Sequence, residues 1–307
     1  MFRFIDLFAG VGGMRLGFES AGGKCVFTSE WDKHAQKTYE ANFGEVPAGD
    51  ITKIQASDIP KFDILLAGFP CQPFSSIGKR EGFKHPTQGT LFGDVVRILD
   101  HHQPRGFLLE NVAGLKTHDN GNTLAVIEQE LTKLGYRYDY KIIDAVRFGV
   151  PQHRERIYIV GMLSDQAGKS DFDWPQGSSR KVGIGKSVIT GVKGHSISKH
   201  LQDVYIYKKD DGRPQIIDKN TDIPVKTLVA SYHKIQRLTG TFVRDGETGL
   251  RLLTADECKA IMGFPKGFKI PVSRTQMYRQ MGNSVAVPVI KALAKWMIDD
   301  LRILKPR

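Results

Sequence analysis

A chain of 307 residues with 44 basic and 33 acidic side chains has a net charge of +11 and a pI near 9.5. That excess favours an anionic partner such as nucleic acid, although many basic proteins bind none. With 40% hydrophobic residues the chain can build a core, and disorder is excluded as its default state. Three scattered cysteines, Cys25, Cys71 and Cys258, form neither a disulfide framework nor a zinc-ligand spacing, so no metal is expected and a reducing setting fits. The opening MFRFIDLFAG lacks the pattern of a cleaved leader, and no apolar run approaches the roughly 20 residues of a membrane span. A soluble, cytoplasmic protein is expected.

The first half alternates short apolar runs with segments of helical period. FRFIDLF (2–8) precedes the helical MRLGFESAG, and KCVFTSE (24–30) precedes DKHAQKTYEANF. FDILLAGF (62–69), helical TLFGDVVRILDHH (90–102), GFLLENV (106–112), helical TLAVIEQELTKLG (123–135) and RIYIVGML (156–163) continue the series. Repeated βαβ units predict an α/β fold, a mostly parallel Rossmann-like sheet with helices on both faces.

From Ser164 to Gly249 the pattern dissolves into ten glycines and short polar runs, with 14 basic against 10 acidic residues and brief β-like pieces DVYIYK and GTFVRD. A smaller, loop- and strand-rich domain is expected over 164–249, inserted between residues 1–163 and 250–307. Order returns at TADE (254–257), a capping box that predicts a helix through Met262. The closing VPVIKALAKWMIDDLRIL (287–304) is amphipathic and predicts a last helix against the sheet.

FIDLFAGVGG (4–13) reads as a strand and a glycine turn opening a helix, where the backbone can approach a ligand closely. The dinucleotide fingerprint would need a glycine at position 15, which is Arg15, so a pyrophosphate is not the obvious guest. Glu30 closes the second strand where doubly wound folds place the acid that holds ribose hydroxyls. A ribose without a pyrophosphate points to an adenosine-bearing ligand such as S-adenosylmethionine, and Asp50, near the end of a third strand, could accept an adenine amino group. A plain tight turn and a solvated strand end remain the alternative.

Ligands in open α/β sheets sit at the carboxyl ends of the strands. Cys71, Glu110, Arg154 and Arg156 share that address. Cys25 and Cys258, inside a strand and a helix, read as buried small hydrophobes. Cys71 differs, because Pro70 and Pro73 stiffen its loop and can aim the thiol. Glu110 ends an apolar run whose surroundings should raise its pKa and let it donate a proton. Arg154 and Arg156, two apart, face the same way on an extended chain, in a site or on a solvated strand edge. A thiolate, an acid and a methyl donor together suit methylation at C5 of cytosine. Addition of the thiolate to C6, with an acid at N3, gives C5 the enamine character it lacks.

The residues DLFAGVGG (6–13), GFPCQPFS (68–75), ENV (110–112), QHRER (152–156) and RQMGNSVAVPV (279–289), in this order, resemble the motif set of the DNA (cytosine-5) methyltransferases. The resemblance spans roughly 1–163 and 250–300. It implies that Cys71 attacks C6, that Glu110 contacts N3 and the exocyclic amine, and that Arg154 and Arg156 hold the base oxygen and nearby backbone. It places Phe8, Gly10, Val11, Gly13, Glu30 and Trp31 at the S-adenosylmethionine site, with Asp50, Ile51, Pro70, Leu91, Asn283 and Val285. The insert then becomes a target-recognition domain facing a DNA cleft, with Thr227-Leu228 anchoring it beside a flipped nucleotide.

Residues 75–89 are expected to form a mobile lid that closes over double-stranded DNA, with Ser75, Ser76, Lys79 and Arg80 contacting it. Gln236 and Arg237 are candidates to read base edges in the major groove; the alternative is a solvated loop, which would carry similar residues. A monomer is expected, with a cognate restriction endonuclease as a possible partner that forms no stable complex. Three rival readings stand at this level: an RNA methyltransferase with the same chemistry, a non-catalytic DNA-binding protein on this fold, and a nicotinamide-dependent oxidoreductase.

Overall fold

The computed structural model describes residues 1–70 and 90–304. Cys71 and the lid residues Ser75, Ser76, Lys79 and Arg80 lie outside the described residues. Strand alternation sorts the core onto two faces of one sheet. In β1 (Phe2–Leu7), β3 (Ile64–Ala67), β4 (Gly106–Val112) and β6 (Glu155–Leu163), the residues Phe4, Ile64, Leu66, Leu108 and Val160 serve one face. Their neighbours Ile5, Leu65, Leu109, Ile157 and Ile159 serve the other. Helices α1 (Gly13–Ser20) and α7 (Val287–Asp299) cover the first face. The second is covered by α3 (Leu91–His102) and α4 (Asn122–Lys133).

With β2 (Gly23–Ser29), β5 (Tyr136–Asp144) and the short β7 (Gly168–Lys169), the described strands run in the order β2-β1-β3-β4-β6-β5-β7. The strands β2, β1, β3 and β4 are mutually parallel, as the βαβ pattern predicts. The strand β6 is antiparallel to both of its neighbours. The link 145–154 between β5 and β6 holds only a 3₁₀ turn, too short for the crossover that a parallel pair requires.

Helix α2 (Lys33–Phe43) and α5 (Ala255–Met262) sit where the sequence places them, and Thr254 and Glu257 form the capping box. Helix α7 stops at Asp299, short of the predicted 304. Among the described elements that escaped sequence reading are β5 and α6 (Arg274–Asn283). The piece DVYIYK is not a strand: residues 202–206 form a helical turn. GTFVRD does contain a strand, β9 (Thr241–Val243), paired in parallel with β8 (Gln215–Ile217).

The chain does not leave the sheet at residue 163. Beyond β7, Phe172 and Trp174 enter the core beneath α7. Trp174 stacks on Trp296 with centroids 4.8 Å apart, and its indole N–H donates to Asp139 Oδ2 at 2.6 Å. The first residues of the loop-rich insert expected over 164–249 thus share the core of the sheet. Its core, which includes Ile206, Val225, Tyr232 and Phe242, merges with α5 and α6.

A buried ion pair fastens the insert to α5. Arg251 and Glu257 have fully buried side chains joined at 2.8 Å. Arg251 also reaches Asp245 at 2.9 Å, and Glu257 accepts the Ile189 and Thr254 N–H groups. Removing one partner strands the other charge in the interior, which costs about 3–5 kcal/mol. Glu257→Ala should lower the unfolding free energy by that amount in urea titration, and a loss under about 1 kcal/mol would show the pair to be incidental.

Candidate active site

Because β1 to β4 run in parallel, their carboxyl ends share one edge, and the antiparallel β6 begins on that same edge. The order reverses at β1, with β2 on one side and β3 on the other, which opens a crevice at the switch point. A cleft of about 730 Å³ occupies it, within the range of small-ligand sites.

The turn after β1 shapes one wall. Phe8, Gly10 and Gly12 all have positive φ. Gly12 precedes α1 at φ 86°, and a Cβ there would strike the Phe43 ring. Arg15, which replaces the third fingerprint glycine, turns to Glu19, Tyr39 and Glu45. The Glu30 carboxylate braces this wall by accepting the Gly10 N–H and the Asp32 N–H, each at 2.8 Å. Burial raises its pKa, opposed by those N–H groups. Each oxygen retains acceptor capacity. Trp31 is 75% exposed at the cleft.

Of the twelve residues expected at the donor site, all but Gly13 and Val285 line the cleft. Those two face each other instead: a Cβ on Gly13 would press on Val285 Cγ2. Gly13 thus permits contact between the start of α1 and the buried segment before α7, and neither residue reaches the cavity. Asp50 lines the cleft without ending a strand; it caps a 3₁₀ turn and accepts the Thr52 hydroxyl at 2.8 Å.

On the facing side Glu110, near the end of β4, meets Arg156 of β6 at 3.1 Å, with both side chains largely buried. Burial raises the Glu110 pKa, and Arg156 and Arg154 oppose the rise. Arg154 and Arg156 both line the cleft, although their spacing alone leaves a solvated strand edge equally open. Only Arg156 addresses Glu110. The Arg154 guanidinium instead donates to Leu228 O (3.0 Å), Gly282 O (2.9 Å) and Ser284 O (2.6 Å). It is 2% exposed, and its Nε has no hydrogen-bond partner among the described residues. Burial, with Arg156 adding, pulls its pKa down to about 10, so it stays charged at neutral pH. Arg154 joins the insert to the end of α6, a role that the two-residue spacing did not reveal.

Thr227 donates to His153 O at 2.7 Å, and Leu228 N donates to Gln152 Oε1 at 2.6 Å, so the Thr-Leu pair anchors the insert beside the cleft. Gly282 allows this approach, since a Cβ would collide with the backbone of Val229 and Ala230. Arg237 does not extend toward a ligand. It is 7% exposed, and its guanidinium is held within the insert by Asp211, Lys209 O and Ile206 O. Gln236 is exposed.

Sequence reading missed Asn111, whose Nδ2 donates to Phe69 O at 2.8 Å and so ties β4 to the chain leading toward Cys71. It also missed Gln280, which accepts from Thr38 Oγ1 at 2.9 Å and brings α6 to the cleft wall. Among the described residues no cluster of three metal-ligating side chains occurs, and no helix is long and apolar enough to cross a membrane.

The profile of the family described as C-5 cytosine-specific DNA methylase matches residues 2–299. The chain is 60% identical over 294 residues to the type II methyltransferase M.MspI of Moraxella sp., across 96% of this chain and 70% of that protein. It is 60% identical over 308 residues to the type II methyltransferase M.BsuFI of Bacillus subtilis, across 98% and 75%. The crystal structure of the S. pombe Dnmt2 methyltransferase superposes with a TM-score of 0.80 at 20% identity, covering 98% of this chain and 99% of that one, and shows the shared fold. The chain belongs to the C-5 cytosine-specific DNA methylase family. It is a DNA (cytosine-5) methyltransferase, a family whose methyl donor is S-adenosylmethionine.

Asp6 lies beneath the glycine turn with both carboxylate oxygens unpartnered among the described residues. Burial raises its pKa to about 8, with Arg15 opposing and Glu30 adding to the rise. A raised carboxyl contributes stability that is full below about pH 4 and lost as pH climbs through about 8. Asp6→Asn keeps the shape and removes the proton, so its melting temperature should gain on the wild type from pH 5 to pH 9. A constant difference would mean that Asp6 does not titrate in this window.

Proposed function

We propose that this chain transfers a methyl group from S-adenosylmethionine to C5 of a cytosine turned out of duplex DNA, within a type II restriction-modification system. The observation that carries the reading is the Glu110–Arg156 pair, set at 3.1 Å on the same cleft edge as the glycine turn and Glu30. The cleft suits the donor, since a buried acceptor, Glu30, and an exposed aromatic ring, Trp31, flank a turn whose backbone is open to approach. Glu30 would hold the ribose hydroxyls, with Asp50 toward the adenine. When bound, S-adenosylmethionine supplies a methyl group on a positively charged sulfur.

The remaining steps fall to side chains of this chain. Cys71, three residues past the Gly68 that adjoins Glu110, is proposed to add its thiolate to C6. Glu110, biased toward its protonated form by burial, gives its proton or a hydrogen bond to N3, which turns C5 into an enamine-like carbon. Arg156 orients Glu110 and offers a donor to the base oxygen. Loss of the C5 proton and expulsion of the thiolate restore the ring. The insert carries the target-recognition surface, and Thr227 and Leu228 hold it beside the flipped nucleotide. The chain is proposed to act as a monomer in the cytoplasm, alongside an endonuclease of the same specificity without a stable complex.

A duplex carrying 5-fluorocytosine at the target should trap the protein covalently when the donor is present, and Cys71→Ser should form no adduct while keeping DNA affinity within a few-fold. Normal turnover by Cys71→Ser would remove the thiol from the reaction. Glu110→Gln should lower kcat by about 10²–10⁴-fold with a small change in KM for DNA, measured by transfer of labelled methyl groups.

A further inference from the structure

Arg237 gathers two segments of the insert. Its Nε donates to Ile206 O at 3.1 Å and its Nη2 to Lys209 O at 2.7 Å. Both guanidinium amino groups also pair with Asp211, and the Arg237 backbone N–H donates to the Tyr205 hydroxyl at 3.2 Å. A planar fork with five donors can fix several loop atoms at once. Here it locks the turn at 202–209 against the loop at 234–239.

The side chains left outside are unusual for a surface. Ile206 and Gln202 point into the core of the insert. On the same two segments Val204, Tyr205, Tyr207 and Leu238 are exposed, with Tyr207 at 54% and Leu238 at 59%. Exposed apolar groups normally occur singly, and a cluster marks a binding surface. Lys208, Lys209 and Lys234 are exposed on the same segments and match a phosphate backbone. The stretch that accepts from Arg154 at Leu228 O continues along the chain into 234–239. Gln236 is exposed with its Oε1 accepting the Thr239 hydroxyl at 3.1 Å, which orients its amide.

We propose that the exposed side of segments 203–209 and 234–239 reads the DNA sequence in the major groove, and that Arg237 is a positioning residue that holds the two segments in register. Tyr207 and Leu238 supply apolar contact suited to a thymine methyl group or a base edge, and Gln236 supplies an oriented amide. This rests on the reading of the chain as a DNA methyltransferase.

The full chain is incubated with S-adenosylmethionine and a pool of duplexes randomised around a central cytosine, and methylated sites are sequenced. Tyr207→Ala, Gln236→Ala and Leu238→Ala should each relax preference by about tenfold at one or two base positions and leave the others sharp. Arg237→Ala and Asp211→Ala should both relax preference across several positions, and the double variant should be no worse than either single one. Arg237→Lys covers the case in which the alanine variant does not fold; it should give the same broad relaxation in weaker form. S-adenosylhomocysteine affinity should stay within about twofold of wild type in all of them. Relaxation at a single position in the Arg237 and Asp211 variants would make Arg237 a direct reader and overturn the proposal, as would unchanged profiles for Tyr207→Ala, Gln236→Ala and Leu238→Ala. A wild-type chain that methylates nothing in the pool would instead refute the DNA reading itself.

Discussion

Arg154 holds a permanent charge where only 2% of the residue meets solvent, and the active-site edge depends on how that charge is satisfied. An unpaired guanidinium so deeply buried would cost several kcal/mol, so the fold must bring acceptors to it. It brings three carbonyls from two distant parts of the chain, Leu228 of the insert and Gly282 and Ser284 at the end of α6. The last carbonyls of a helix lack intrahelical partners and carry the negative end of its dipole, so they are natural acceptors for a cation. Asp144 holds the backbone beside it by accepting the Arg154 main-chain N–H and pairing with the His153 ring. One interaction thereby fixes the start of β6, the anchor of the insert and the segment that carries Asn283 to the cleft.

The two acids of the cleft differ in what surrounds them, and their roles divide accordingly. Glu30 is held by backbone N–H groups that brace the glycine turn and the start of α2, one on each oxygen, so it is a fixed carboxylate with acceptor capacity left over. Glu110 faces a guanidinium across the sheet, with burial and that charge pulling its pKa in opposite directions. A carboxyl balanced between two such forces can hold a proton or release it with little rearrangement. Antiparallel β6 makes this possible, because it delivers Arg156 at its first turn of strand to the edge where β4 ends.

The sequence is most legible where burial is two-sided. FDILLAGF and GFLLENV read as strands because a parallel strand covered on both faces is apolar throughout. The strand β5 alternates charged and aromatic residues in YRYDYKIID and lies toward the sheet edge, so its signal is weak. Helix α6 looks polar, yet Met277, Tyr278, Gln280 and Met281 are buried against the insert and the cleft wall. That burial depends on contacts far away in the chain. The same limit applies at the donor site. The glycine turn, Glu30 and Asn283 could be placed from their motifs, whereas the mutual packing of Gly13 and Val285 could not.

Arginine was the residue type least readable from pattern, and the reason lies in how the insert is built. A region with few strands and short helices cannot close its backbone polar groups in ladders, so side chains must serve the loop carbonyls. Arg237 does this inside the insert and Arg251 just beyond its end, paired with Asp211 and Asp245, and Arg154 does it at the border. A guanidinium is suited to the task because it stays charged and offers several donors in one plane. The +4 excess counted over 164–249 therefore includes an arginine whose charge is neutralised internally, while Arg180, Arg213 and Arg244 are exposed together with lysines such as Lys208, Lys209 and Lys234. In a loop-rich region of this kind, pattern alone does not separate an arginine left in solvent, such as Arg213, from one that bolts two loops together, such as Arg237.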